Sequence, residues 1–154
     1  MCGIVGVVAQ RSATPILIRG LQRLEYRGYD SAGLATIDAD GALNRLREVG
    51  KVQNLVDAVE RTHVSGSTGI AHTRWATHGK VTADNAHPHL STSADADDAV
   101  CLVHNGIIEN HVALREELQG LGYTFTSQTD SEVIVHLIHC LLYTSPSPRD
   151  TLLS

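Results

Sequence analysis

Apolar and polar positions along the chain follow two rhythms, one of period two and one of period three to four. Residues 3–9 are an apolar run with valine and isoleucine side chains and read as a buried strand. Thr14 followed by Pro15 opens a helix, as hydroxyl cap and first helical residue. Leu17, Leu21 and Leu24 recur at helical spacing, and Gly28 stops that helix. Residues 26–33 form a polar, glycine-punctuated link into a strand at 34–37. Asp40-Gly41 is a hairpin turn signal, leading to a second strand at 42–47. Leu55, Val56 and Val59 predict a short amphipathic helix, 66–69 a loop and 70–75 a strand. Residues 76–99 lack periodicity, and loops of that length within one domain are functional or mobile. Their end, 91–99, is rich in Ser, Ala and Asp and reads as a solvated excursion.

A strand at 100–103 follows. Asn110 caps a helix with Val112, Leu114, Leu118 and Leu121 on its apolar face, and Gly122 ends it. Residues 123–126 read as a brief strand. Thr129 and Glu132 fit a capping box, ahead of a helix facing inward through Val133, Ile134, Leu137, Ile138 and Leu141. From 143 to 150 the chain holds Pro146 and Pro148 and cannot continue a helix, so residues 141–154 read as a disordered tail. Strands alternating with helices and hairpins indicate a mixed α+β domain.

At 154 residues the chain fits one domain. A net charge of −5 without a basic stripe argues against nucleic acid as a partner. No segment reaches the ~18 apolar residues of a membrane span, and residues 4–9 are too short for a signal peptide. Cys2, Cys101 and Cys140 form no CxxC pair, which points away from disulfide frameworks and cysteine zinc sites and toward a reducing, cytoplasmic setting.

Cys2 changes this bland picture. Removal of Met1 would leave one residue carrying both a thiol and a free α-amine, with ordinary pKa values of ~8.5 and ~7.7–8.0. That is a nucleophile with its own general base. By position alone, Cys2 reads more readily as a small apolar residue opening a strand. A cysteine amidase also needs oxyanion donors and groups that hold substrate. Asn105-Gly106, at the end of a strand, offers a side-chain amide and an unobstructed backbone N–H, although most Asn-Gly pairs are only turns. Arg74 can grip a carboxylate through two N–H groups, and Asp130 can take an ammonium.

Four stretches carry a resemblance that these residues alone do not. They are Arg23-Leu24-Glu25-Tyr26-Arg27-Gly28-Tyr29-Asp30-Ser31-Ala32-Gly33, His72-Thr73-Arg74-Trp75-Ala76-Thr77-His78-Gly79, Asn85-Ala86-His87-Pro88-His89 and His104-Asn105-Gly106-Ile107-Ile108-Glu109-Asn110. In this order they resemble the class II glutamine amidotransferases, which are N-terminal nucleophile hydrolases. The resemblance implies an αββα sandwich and hydrolysis of the side-chain amide of L-glutamine, with no cofactor and no metal. It implies that Cys2 attacks, that Asn105 and Gly106 form the oxyanion hole, and that Arg74 and Asp130 bind the substrate carboxylate and amine. Thr77 and His78 would line the pocket, residues 74–80 would act as a lid with Trp75 at the ammonia exit, and Arg27 would lie near the nucleophile.

Within the family the motifs favour the branch that passes ammonia to fructose 6-phosphate over the phosphoribosyl and asparagine-forming branches. The resemblance implies residues 1–140 as a partial glutaminase domain, incomplete at the C-terminus, with 141–154 outside the family pattern and the sugar-isomerase domains absent. Full-length members are expected to be homo-oligomers, and a partial domain is expected to be weakly active or inactive. A metal-binding alternative rests on His87-x-His89 and His136-x-x-His139, which have possible ligand spacing.

Overall fold

The computed structural model describes residues 1–76, 79–93 and 98–144. Its first sheet has four antiparallel strands in the order β1 (Gly3–Val8), β4 (Thr68–Arg74), β2 (Ser31–Ile37) and β3 (Leu43–Val49). The β2–β3 hairpin turns at Gly41, whose φ of +83° suits glycine, and the Asp38 carboxylate accepts from the N–H groups of Asp40 and Ala42. Helices α1 (Thr14–Leu24) and α2 (Val52–Thr62) cover one face. Leu17, Leu21, Leu34 and Leu55 are fully buried between them and the sheet, each contributing about 1.5–3 kcal/mol.

The other face of the sheet meets a second layer. On β4 the side chains alternate, so Ala71 joins the helix-side core while His72 turns to the opposite face. There His72 stacks on His87, just ahead of β5 (His89–Ser91), which pairs antiparallel with β6 (Val100–Leu102). Gly33 lets the layers meet: a Cβ at this position would collide with the His87 carbonyl oxygen and lie 2.9 Å from that of Leu46. Arg45 and Arg47 of β3 donate to the carbonyls of Pro88 and Ala86 and fasten the same contact. Helix α4 (Ser131–His139) packs on β5 and β6, and α3 (His111–Gly120) packs on α4. The result is the expected αββα layering of an α+β fold.

Several local expectations are corrected. β1 is an edge strand, with Ile4 and Val8 exposed, and is not buried on both faces. Thr14 does not cap α1; its hydroxyl donates to the Val64 carbonyl, and Ala13 holds the cap position. A 3₁₀ turn, Glu25–Arg27, intervenes before Gly28. The link expected through Gly33 is shorter, because β2 already begins at Ser31. In α3 only Leu118 is buried, while Val112 and Leu121 face outward.

Residues 123–126 form no strand. Glu132 reaches past Thr129 to accept from the N–H groups of Thr126 and Ser127, and it holds that segment in an irregular path. Thr129 Oγ1 instead meets His89 Nε2 at 2.8 Å. The buried side of α4 includes Glu132, His136 and His139, and Leu141 beyond it is exposed. A π-helical stretch, Cys140–Thr144, continues α4 past Leu142 and lies ahead of the first proline of the tail, Pro146. The rest of the expected tail, 145–154, lies outside the described residues, as do 94–97 of the expected excursion. No helix among the described residues is long and apolar enough to cross a membrane.

Candidate active site

A cavity of about 420 Å³ opens where the ends of several elements converge. Cys2 enters it from the start of β1. The β1–β4 register pairs Gly3 with Thr73, which sets Cys2 beside the exit of β4. There the Trp75 N–H donates to Cys2 Sγ at 3.2 Å. Arg74 and Trp75 line the same cavity, Asn105 and Gly106 reach it from the loop after β6, and Asp130 from the start of α4. Arg27 completes one side through a contact between its guanidinium and Met1 Sδ, and the Met1 amine donates to the carbonyls of Arg27 and Gly28. Seven of the nine residues singled out from the sequence thus share one cavity. Thr77 and His78 lie outside the described residues.

The side chains are held from behind. Asp130, 5% exposed, accepts from the Ile108 N–H at 2.7 Å, which ties the start of α4 to the segment carrying Asn105 and Gly106. Arg74, 4% exposed, donates to the Lys80 carbonyl. Both ends of the expected lid are fastened: Ala76 N–H donates to Asp30 Oδ2, and Lys80 N–H donates to Gln128 Oε1. Asn85 braces that far end, donating to the Lys80 carbonyl and accepting from the Gln128 N–H. The imidazole of His104 lies against Gly106, where a Cβ would come within 2.8 Å of its Nε2. His104 Nδ1 in turn meets Ser131 Oγ at 3.0 Å.

Beneath the cavity runs a buried file of imidazoles. His72 stacks on His87 at 4.1 Å, and His87 lies 4.5 Å from His89. Burial pushes all three below the ordinary histidine value. His72 is held to about 4 and His89 to about 3, and neighbouring histidines and Arg74 press His87 down further. At neutral pH the file is uncharged, so a substrate in the cavity meets the charges of Arg74 and Asp130 without a competing imidazolium below.

His87 and His89 lie in this stack, with His89 Nε2 against Thr129 Oγ1 and His87 Nδ1 accepting from the His104 N–H. His136 and His139 have both ring nitrogens engaged, by Ser91 and Glu132 and by Tyr123 and Asp98. Among the described residues no three potential ligands gather for a metal. Asp30, His72, His104, Asn85 and Gln128 shape the site without having been singled out from the sequence. The first four lie inside the quoted motifs, which was the available signal; Gln128 gave none.

A model of the glutamine amidotransferase domain matches residues 56–141, more than half of the chain. The chain belongs to the glutamine amidotransferase domain family. It is 64% identical over 139 residues to the glutamine–fructose-6-phosphate aminotransferase (isomerizing) of Pseudomonas aeruginosa, covering 90% of this chain and 22% of that protein. Against the Escherichia coli K12 protein of the same name, identity is 57% over 153 residues, covering 99% of this chain and 24% of that one. The chain thus spans about a quarter of the length of these relatives. Among solved structures, the glutamine phosphoribosylpyrophosphate amidotransferase of Bacillus subtilis, in complex with ADP and GMP, superposes with a TM-score of 0.78. It is 27% identical, and the match covers 99% of this chain and 31% of that one. An allosteric regulatory enzyme of purine biosynthesis gives a TM-score of 0.79 at 28% identity, covering 99% of this chain and 32% of that one.

Proposed function

We propose that this glutamine amidotransferase domain hydrolyses L-glutamine through a thioester on Cys2, once Met1 has been removed. The supporting observation is the convergence of Cys2, Arg74, Asn105, Gly106 and Asp130 on one cavity. Arg74 grips the α-carboxylate and Asp130 the α-ammonium, which directs the side-chain amide toward Cys2. The Cys2 amine takes the thiol proton, the sulfur bonds to the amide carbon, and the oxyanion is met by the Asn105 amide and the Gly106 N–H. The amine returns its proton to the leaving nitrogen as the C–N bond breaks, and ammonia departs. Water, deprotonated by the same amine, then adds to the thioester, the C–S bond breaks to give glutamate, and the amine returns that proton to the Cys2 sulfur. In this reading Thr77 and His78 line the pocket, Trp75 stands at the ammonia exit, Arg27 lies near the nucleophile, and residues 74–80 act as a lid while the thioester stands.

In this reading the domain works in the cytoplasm, and ammonia passes to fructose 6-phosphate in the part of the relatives' length that this chain does not span. Identity of 57–64% to the glutamine–fructose-6-phosphate aminotransferases against 27% to the phosphoribosylpyrophosphate amidotransferase supports that branch. Residues 1–140 supply the glutaminase chemistry. The test is glutamate release from glutamine by this chain and by a version extended with a relative's downstream sequence. The reading predicts that C2A abolishes release in both and that the extended version is the faster. Glutamate release that survives C2A would refute it.

A further inference from the structure

We propose that His72 is the positioning residue for the oxyanion site: its Nε2–H holds the Asn105 side-chain oxygen and turns the Asn105 amide nitrogen toward Cys2. This rests on the reading above that Asn105 serves as an oxyanion donor. A carboxamide has one accepting end and one donating end, and only the donating end can stabilise a developing negative charge. His72 Nε2 lies 2.7 Å from Asn105 Oδ1. With the oxygen held there, the two N–H bonds are left for the cavity that Asn105 lines. The reverse arrangement, with Nε2 accepting from the amide, would present the oxygen to the oxyanion and oppose the reaction.

Asn105 itself is exposed, on a loop after a three-residue strand, and nothing else described holds its side chain. His72 is its opposite in every respect. It sits at the centre of the first sheet, is 1% exposed, and its ring lies on that of His87 with only 17° between the planes. Rotation of the ring would break both contacts. Burial keeps the imidazole neutral near pH 7, so it carries one ring proton; Asn105 Oδ1 beside Nε2 calls for that proton, while Nδ1 is buried with no hydrogen-bond partner among the described residues. His72 and Arg74 lie two residues apart on the same strand. One rigid element therefore sets both the group that binds the substrate carboxylate and the group that orients the oxyanion donor.

The closing experiment has a spectroscopic and a kinetic arm. Long-range ¹⁵N–¹H spectra of the imidazoles near pH 7, with His72 assigned by its loss in H72Q, should show the Nε2–H tautomer; the Nδ1–H tautomer overturns the proposal. In glutamine hydrolysis, H72F should lower kcat by roughly 10- to 100-fold with KM little changed, less than the ~10²–10³-fold cost of losing the donor itself. H72Q, which can still donate an N–H, should recover part of the loss. In an N105A background, H72F should cost nothing further, because the two act as one unit. An equal loss in both backgrounds overturns the proposal. An N105A chain with unchanged kcat would refute the role given to Asn105, while the tautomer would still report whether His72 holds its oxygen.

Discussion

Acidification from neutrality to about pH 5 should destabilise this fold well before its carboxylates titrate. The cause is the file of histidines between the two sheets. A base whose folded pKa lies below its unfolded value favours folding fully above the unfolded value, and that contribution is lost as pH falls toward the folded value. His72 is held at about 4 and His89 at about 3, against an ordinary 6.5, so the window runs downward from about 6.5. At about pH 5 the unfolded chain has taken up both protons and the folded chain neither, which costs about 2 kcal/mol for each histidine, or about 4 kcal/mol for the pair. His87 is displaced in the same direction. Against a typical domain stability of ~5–15 kcal/mol this is a large fraction. With His87 adding a similar ~2 kcal/mol and a urea slope of ~2 kcal/mol/M, the unfolding midpoint should fall by about 3 M between neutrality and about pH 5. The H89Q variant keeps a polar partner for Thr129 Oγ1 and removes one of the three titrating groups, so its shift should be smaller by about 1 M, or about two thirds as large. A midpoint that does not move over this interval, or an undiminished shift in H89Q, would refute the reasoning.

Three further outcomes follow from the same structure. Glu132 is pushed up by burial, but hydrogen bonds from His136, Ser127 and Thr126 outweigh this and hold it at about 2. Its contribution is therefore present above the ordinary 4.5 and lost as pH falls toward 2, and E132Q should cost about 3 kcal/mol by urea denaturation at neutrality; a wild-type midpoint would show that Glu132 is not held this way. Gly33→Ala meets backbone oxygens that cannot yield and should cost at least ~3 kcal/mol by urea denaturation; wild-type stability would show that the layers do not meet as described. Arg74→Lys loses the two-pronged grip on a carboxylate, so KM for glutamine should rise about tenfold or more with kcat little changed, as steady-state hydrolysis would show.

Much of the fold was legible where hydrophobic rhythm decides it. Leu17 and Leu21 are buried as their spacing predicts, and the Asp40-Gly41 turn joins β2 to β3. The rhythm failed where tertiary partners claimed polar groups. Thr14 and Thr129 look like caps, but their hydroxyls serve Val64 and His89 across the fold. β5 was hidden because its buried residues are His89 and Ser91, whose partners Thr129 and His136 lie on or beside α4. The inward side of α4 was misread for the same reason, since Glu132, His136 and His139 are buried with hydrogen-bond partners and carry no apolar signal.

For the site, residue identities were legible as motifs, but their convergence was not. Cys2, Arg74, Asn105 and Asp130 are far apart in sequence, and only the β1–β4 register and the docking of α4 bring them to one cavity. The supports of Asn105 and Gly106, His72 and His104, could be found only once the layers were stacked.

The most direct test of the central claim is the intact mass of the purified chain, before and after exposure to a glutamine-like diazoketone. The account predicts a mass lacking Met1 and a single covalent adduct that maps to Cys2. Retention of Met1, or an adduct on Cys101 or Cys140 in place of Cys2, would contradict it.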